Sequence, residues 1–352
     1  MNAHFANDAL LEKLRANAVC EDEGTCIVDS INLIRQAELL KESGRVRPSA
    51  TARRLARIAS VNLSVARLLE GHINALRLIE ELGSEEQRRC IRTLLKKSAF
   101  LGVWGADGDP PVQLDAANNT LQGRKIYASG LNTVTHALVS VDVASKTRLG
   151  LVDVQQTSRQ DAAQWSMTGM RATRSGAYDF TGVRDDAVMW IGPPDAYMTE
   201  PTFIGGVWRI AALQLGATLG LLDAVSAQLA RLGRIEADAQ LIRLTPLAMR
   251  AMAVERLVNR AAEFAESEAA YADPERTVAL SASARLLTEE LGLQTIATSE
   301  QSLGLIHFDS GSESGRMARD LAVYLRQAGR DALVVRVGAH VFAQRSIWEI
   351  MT

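Results

Sequence analysis

The segment "WSMTGMRATRSGAYDFTGV", Trp165 to Val183, is rich in Gly, Thr, Ser and aromatic residues within a chain dominated by Ala, Leu, Arg and Glu. Its second half, continued as "SGAYDFTGVRDDAVMW", alternates small or polar residues with Tyr178, Phe180, Val183 and Val188, the pattern of a pleated surface with one buried face. It reads as strand, turn, strand. On the N-terminal side, short runs such as "TLQGRKIYASG", "HALVSVDV" and "RLGLVDV", separated by Gly, Asn, Asp and Lys, extend this texture back to Phe100. Before that, from Asn7 to about Ser98, the periodicity is helical, with Ser84 an N-cap candidate for the last helix. After the loop "GPPDAYMTEPTF" helical periodicity returns, around 210–232, 237–268, 274–300 and 315–326. The expected fold is therefore α+β, mainly α. An N-terminal helical domain covers 1–98, a central antiparallel β-domain 99–196 and a C-terminal four-helix-bundle-like domain 197–352. The quoted segment then faces the bundle at a domain junction, where a ligand is expected.

The bulk composition of the 352 residues, 47% hydrophobic and 23% charged, is that of an ordinary globular protein. A formal charge of -2 supplies no basic stripe for nucleic acid or an anionic membrane, so small-molecule chemistry is the expectation. Cys20, Cys26 and Cys90 have neither zinc-site spacing nor an even count for disulfides, which suits a reducing cytoplasm. The N-terminus lacks the basic cluster and apolar run of a secretion signal. The run "IAALQLGATLGLLDAVSAQLA" approaches membrane-spanning length but carries Gln214, Asp223, Ser226 and Gln228, so it reads as a helix buried at the bundle centre. Within it, Gly216 and Gly220 lie at helical spacing and suit close helix packing. His72, His136, His307 and His340 are scattered without ligand spacing, and no metal site is expected; His307 reads as a solvent-facing loop residue.

Four places together resemble the acyl-CoA dehydrogenase family of flavoproteins, over nearly the whole chain. "LQGRKIYASGLNTVTHALVSV" is similar to the family's L-x-G-x-K strand, and "GMRATRSGAYDFTGVRDDAVMWIG" to its strand-turn-strand. "GGVWRIAALQLGATLG" and "EQSLGLIHFDSGSESGRMARDLAVYLRQAG" resemble the first and last long helices of its bundle, the latter with an Arg-Asp pair at Arg319 and Asp320. The resemblance implies FAD between β-domain and bundle, and an acyl thioester, carried by coenzyme A or an acyl-carrier protein, on its other face. By position it implies Trp104, Gly105, Tyr127 and Ser129 as flavin-side residues, Gln301 and Gly304 as a loop meeting the cofactor of a neighbouring subunit, and Arg209 as a substrate-side residue. A homodimer or homotetramer follows from that loop.

The same comparison exposes departures. The family removes a proton beside a thioester carbonyl, which requires a desolvated carboxylate over the substrate. The two positions that resemblance assigns to this base hold Ala328 and Trp208. Glu200, in "YMTEPTF", is the substitute candidate, and its place ahead of a helix also suits the helix dipole. Two glycines of the family's glycine loop are Leu305 and His307. The leading expectation is an FAD-dependent oxidoreductase performing α,β-dehydrogenation of an acyl thioester, its electron acceptor unspecified. The alternatives are a flavin-dependent monooxygenase of the same superfamily, which needs no carboxylate at that position, and a non-catalytic thioester- or partner-binding homologue.

Overall fold

The structure, a computed structural model, describes residues 7–24, 27–41, 46–343 and 346. Cys26 lies outside the described residues. Five helices come first: α1 (Asp8–Asp22), α2 (Val28–Gln36), α3 (Pro48–Ala59), α4 (Leu63–Leu82) and α5 (Glu85–Lys96). Asn62 caps α4 by accepting from the Val65 amide. Ser84 caps α5 through a reciprocal pair with Gln87, its hydroxyl accepting from the Gln87 amide while Gln87 Oε1 accepts from the Ser84 amide.

The strands follow: β1 (Leu101–Trp104), β2 (Gln113–Asp115), β3 (Thr120–Gln122), β4 (Arg124–Lys125), β5 (His136–Val143), β6 (Lys146–Asp153), β7 (Gln160–Asp161), β8 (Ala177–Asp179) and β9 (Met189–Ile191). They form a larger sheet in the order β3-β2-β5-β6-β9 with β1 also on β5, and a smaller one, β4-β8-β7. The expectation of an antiparallel domain needs correction, because β1 and β2 both pair with β5 in parallel. The opening segment is also more than a hairpin: β8 joins the small sheet and β9 the large one, so the turn between them crosses from one to the other. Tyr178 and Phe180 are buried, as the alternation required.

The remaining helices are α6 (Trp208–Arg231), α7 (Asp238–Ala265), the single turn α8 (Ala269–Ala272), α9 (Pro274–Leu303), α10 (Glu313–Tyr324) and α11 (Arg330–Ala343). The apolar run is α6, buried among α3, α7, α9 and α10. A Cβ added to Gly216 would stand 2.1 Å from the Ala56 carbonyl oxygen, and one on Gly220 2.0 Å from that of Ser60. Glycine thus lets α3 and α6 approach backbone to backbone.

Candidate functional site

The β-domain meets the bundle at the loop between β7 and β8. Met170 and Arg174 both adopt left-handed backbone conformations, φ 56° and 45°, and between them Arg171–Thr173 form a 3-10 turn. The turn is fastened to α10 from two sides. Gly169 lies so close that a Cβ there would sit 2.2 Å from the Arg319 carbonyl oxygen, and the Met170 amide donates to Asp320 Oδ1 at 2.6 Å. Burial pushes the Asp320 carboxyl up to about 6 despite that amide and Arg316, whose Nη1 stands 3.5 Å away.

A line of hydroxyls runs from this clasp toward the residues of the "KIYASG" motif. Thr173 Oγ1 donates to the Met170 carbonyl at 2.7 Å and stands 2.8 Å from Ser175 Oγ, which donates to Ser129 Oγ at 3.1 Å. With Ser175 donating, the Ser129 proton is free for a ligand. Tyr127, in the left-handed region at φ 53° and 55% exposed, presents its ring beside Trp165, edge to face at 6.2 Å. Trp165 and Ser175 also line a cavity of about 380 Å³ with Glu21, Asp22, Arg171 and Arg174. Trp165, Thr173 and Ser175 were visible in the opening segment as unusual residue types. Nothing in the sequence around Glu21 marked it.

The other expected residues fall in several places. Trp104 is buried in the β-domain beside Tyr178; its indole N–H donates to the Ser129 carbonyl at 3.0 Å, so it fixes the wall from behind. The Gly105 carbonyl accepts from the buried Lys125 ammonium at 3.2 Å, and Lys125 also donates to Asp107 at 2.6 Å, which ties down the loop after β1. Glu200 is fully engaged: Oε2 accepts from the Ile204 amide at 2.9 Å and Oε1 from Arg336 Nη1 at 2.9 Å. Arg209 is buried and divided between Glu266 at 2.9 Å and Asn74 at 3.0 Å. Trp208 and Arg209 line a different cavity, about 480 Å³, whose floor is Ile73, Leu76, Ile79, Ile91 and Leu95. Ala328 is exposed in the turn between α10 and α11.

Gln301 is exposed at the end of α9, and Gly304 follows with φ 57°, ahead of Leu305, which is 89% exposed. His307 is not solvent-facing: it is buried, with Nδ1 3.2 Å from the Ser314 hydroxyl, because the turn folds inward onto α10. His72 is buried too, its Nδ1 accepting from the Leu101 amide at 3.0 Å and its other nitrogen 3.1 Å from the Leu40 carbonyl; burial lowers its pKa to about 4. Among the described residues no three His, Cys, Asp or Glu side chains gather as a metal site.

No protein-family model matches the chain, and no curated protein matches it. Solved structures do. Dibenzothiophene monooxygenase TdsC from Paenibacillus sp. A11-2 superposes with a TM-score of 0.81 at 17% identity, over 96% of this chain and 96% of that one; a structure of the same enzyme with FMN gives the same figures. KijD3, in complex with FMN and dTDP-3-amino-2,3,6-trideoxy-4-keto-3-methyl-D-glucose, gives 0.79 at 20% identity, over 96% and 92%. Methanesulfinate monooxygenase MsuC from Pseudomonas fluorescens gives 0.76 at 17% identity, over 96% of both chains. The chain has the acyl-CoA dehydrogenase-like fold that these structures share.

Proposed function

We propose that the protein is a flavin-dependent oxidoreductase of the monooxygenase kind, acting with reduced flavin and oxygen on a small molecule. The observation that carries this reading is the unavailability of a dehydrogenase base: Ala328 and Trp208 occupy the two expected positions, and both oxygens of Glu200 are already bonded. The fold it shares with TdsC and MsuC, both monooxygenases, agrees.

The wall suits a flavin. The exposed Tyr127 ring offers an aromatic surface for a flat heterocycle, and the Ser129 hydroxyl offers a donor to its polar edge. Tyr127 and Ser129 would hold the ring, Ser175 would orient the Ser129 proton, and Trp104 would fix the Ser129 backbone. When bound, a flavin supplies electron transfer to oxygen or acceptance of hydride. FMN is favoured over FAD, since TdsC and KijD3 were solved with FMN and since the loop expected to meet an adenosine carries Leu305 and a buried His307 in place of two glycines.

One observation favours the second reading, dehydrogenation of an acyl thioester. The cavity beside Arg209 has an apolar floor suited to an acyl chain. The two readings separate in one set of measurements. Titration of folded protein should show FMN binding tighter than FAD, weakened about fivefold by Ser129→Ala, the worth of one hydrogen bond. Supplied reduced FMN should support oxygen-dependent turnover, while acyl-CoA should not reduce bound flavin. Folded protein that takes up neither flavin sinks the proposal. Acyl-CoA turnover abolished by Glu200→Gln restores the dehydrogenase.

A further inference from the structure

The cavity of about 380 Å³ is more than an extension of the Tyr127–Ser129 wall. Arg171 and Arg174 line it, are exposed, and their side chains have no ion-pair or hydrogen-bond partner among the described residues. Glu21, at the last turn of α1 and 2% exposed, lines it too. Its Oε2 accepts from Asn62 Nδ2 at 2.7 Å, Ser30 also bonds the carboxyl, and its Oε1 is buried away from the cavity. Its neighbour Asp22 stands 3.8 Å from Arg319 and is thereby offset. Ser175 adds a hydroxyl and Trp165 an apolar side.

We infer that this cavity is an oxyanion site: Arg171 and Arg174, on one turn at its rim, supply both the charge and the hydrogen-bond donors. Guanidinium forks left without protein carboxylates match phosphate-like groups, and such charge-assisted bonds are the strong ones. The buried Glu21 carboxyl resists ionising, which lessens its repulsion of such a ligand. Burial raises its pKa most and Asp29 adds to that, outweighing Ser30, Asn62 and Arg316. The charged groups around it are Asp22 on its own helix, Asp29 on α2, Arg316 and Arg319 on α10, and the two cavity arginines. Ionisation of Glu21 would set a negative charge against the ligand, so affinity falls as pH rises through its raised pKa.

The oxyanion has two possible sources, the phosphate of a mononucleotide flavin or an ionised group on the substrate. The test uses flavin-free protein and sulfate, whose charge is constant over the pH range, with calorimetry as the readout. Saturable sulfate binding is expected, with Arg171→Gln and Arg174→Gln each weakening it about tenfold. Glu21→Gln should keep the binding and flatten its pH dependence, since an amide does not ionise. Because the arginines are exposed, their variants should melt within a few degrees of wild type. Sulfate that competes with FMN but not with riboflavin assigns the site to the flavin phosphate; sulfate that binds alongside FMN assigns it to a substrate group. Absence of sulfate binding at millimolar concentration, or binding unchanged in the Arg171→Gln/Arg174→Gln double variant, overturns the inference. Because flavin is absent from the primary titration, that result is independent of whether the flavin reading holds.

Discussion

Asp320 joins two halves of the molecule through a carboxyl that burial makes reluctant to ionise. It lies almost out of contact with water, and its carboxyl is raised to about 6 from an ordinary 3.8. In the window between those values the unfolded chain has already released the proton that the folded chain keeps. The unfolded state binds fewer protons there, so stability falls as pH rises. The loss from this one group should be on the order of 2 kcal/mol between pH 4 and 7. Asp320→Asn retains an acceptor for the Met170 amide but has nothing to ionise. Urea midpoints across that range should therefore decline less in the variant than in wild type, with a residual slope of the same sign from Glu21, whose carboxyl is raised as well. Equal slopes in the two proteins would show that the carboxylate is solvated in place. At this scale the sequence spoke unevenly. The Arg-Asp pair and the Tyr127–Ser129 motif were recognisable as words, but the partner of Glu200 is Arg336, 136 residues away, and no local pattern reveals such a bond.

Among the elements, α6 was the most legible, because an apolar run of helical length with glycines four apart has few other meanings. Its packing makes a direct prediction. Gly220→Ala places a methyl carbon where the Ser60 carbonyl oxygen stands and should cost about 1–3 kcal/mol as α3 and α6 separate. Chemical denaturation measures this; a variant as stable as wild type would mean that the helices slide freely. β5 and β6 were legible for the opposite reason, since each is a single alternating run and the two are joined by a tight turn. The parallel pairing of β1 with β5 was not, because the strands are far apart in sequence and parallel contacts leave no turn signature. The loop from Trp165 to Gly176 was placed at the junction with the bundle, but its path was not legible. Its shape depends on the Trp165 indole N–H donating to the Gly169 carbonyl and on α10, a helix that lies about 150 residues further on.

Over the whole molecule, one face stands out as incomplete. The outer side of α7 exposes Leu241, Ile242, Met249 and Met252, and the loop after α9 exposes Leu305 and Phe308. The two meet where Gln240 Nε2 donates to the Ser302 carbonyl. A patch of this kind is where a second copy would be expected to pack. Light scattering should therefore find a dimer or larger assembly at micromolar concentration, and Ile242→Glu with Met252→Glu should shift it to monomer without loss of helicity. A wild-type monomer would instead leave the Gln301 loop with no neighbour to serve. The clasp between the β-domain and α10 has a different kind of consequence. Its contacts are a glycine, a backbone amide, a backbone carbonyl and a single carboxyl. Such a joint hardly registers which side chains surround it. A lineage can then rewrite the walls of the cleft, and with them its chemistry, while the two halves still meet at the same angle.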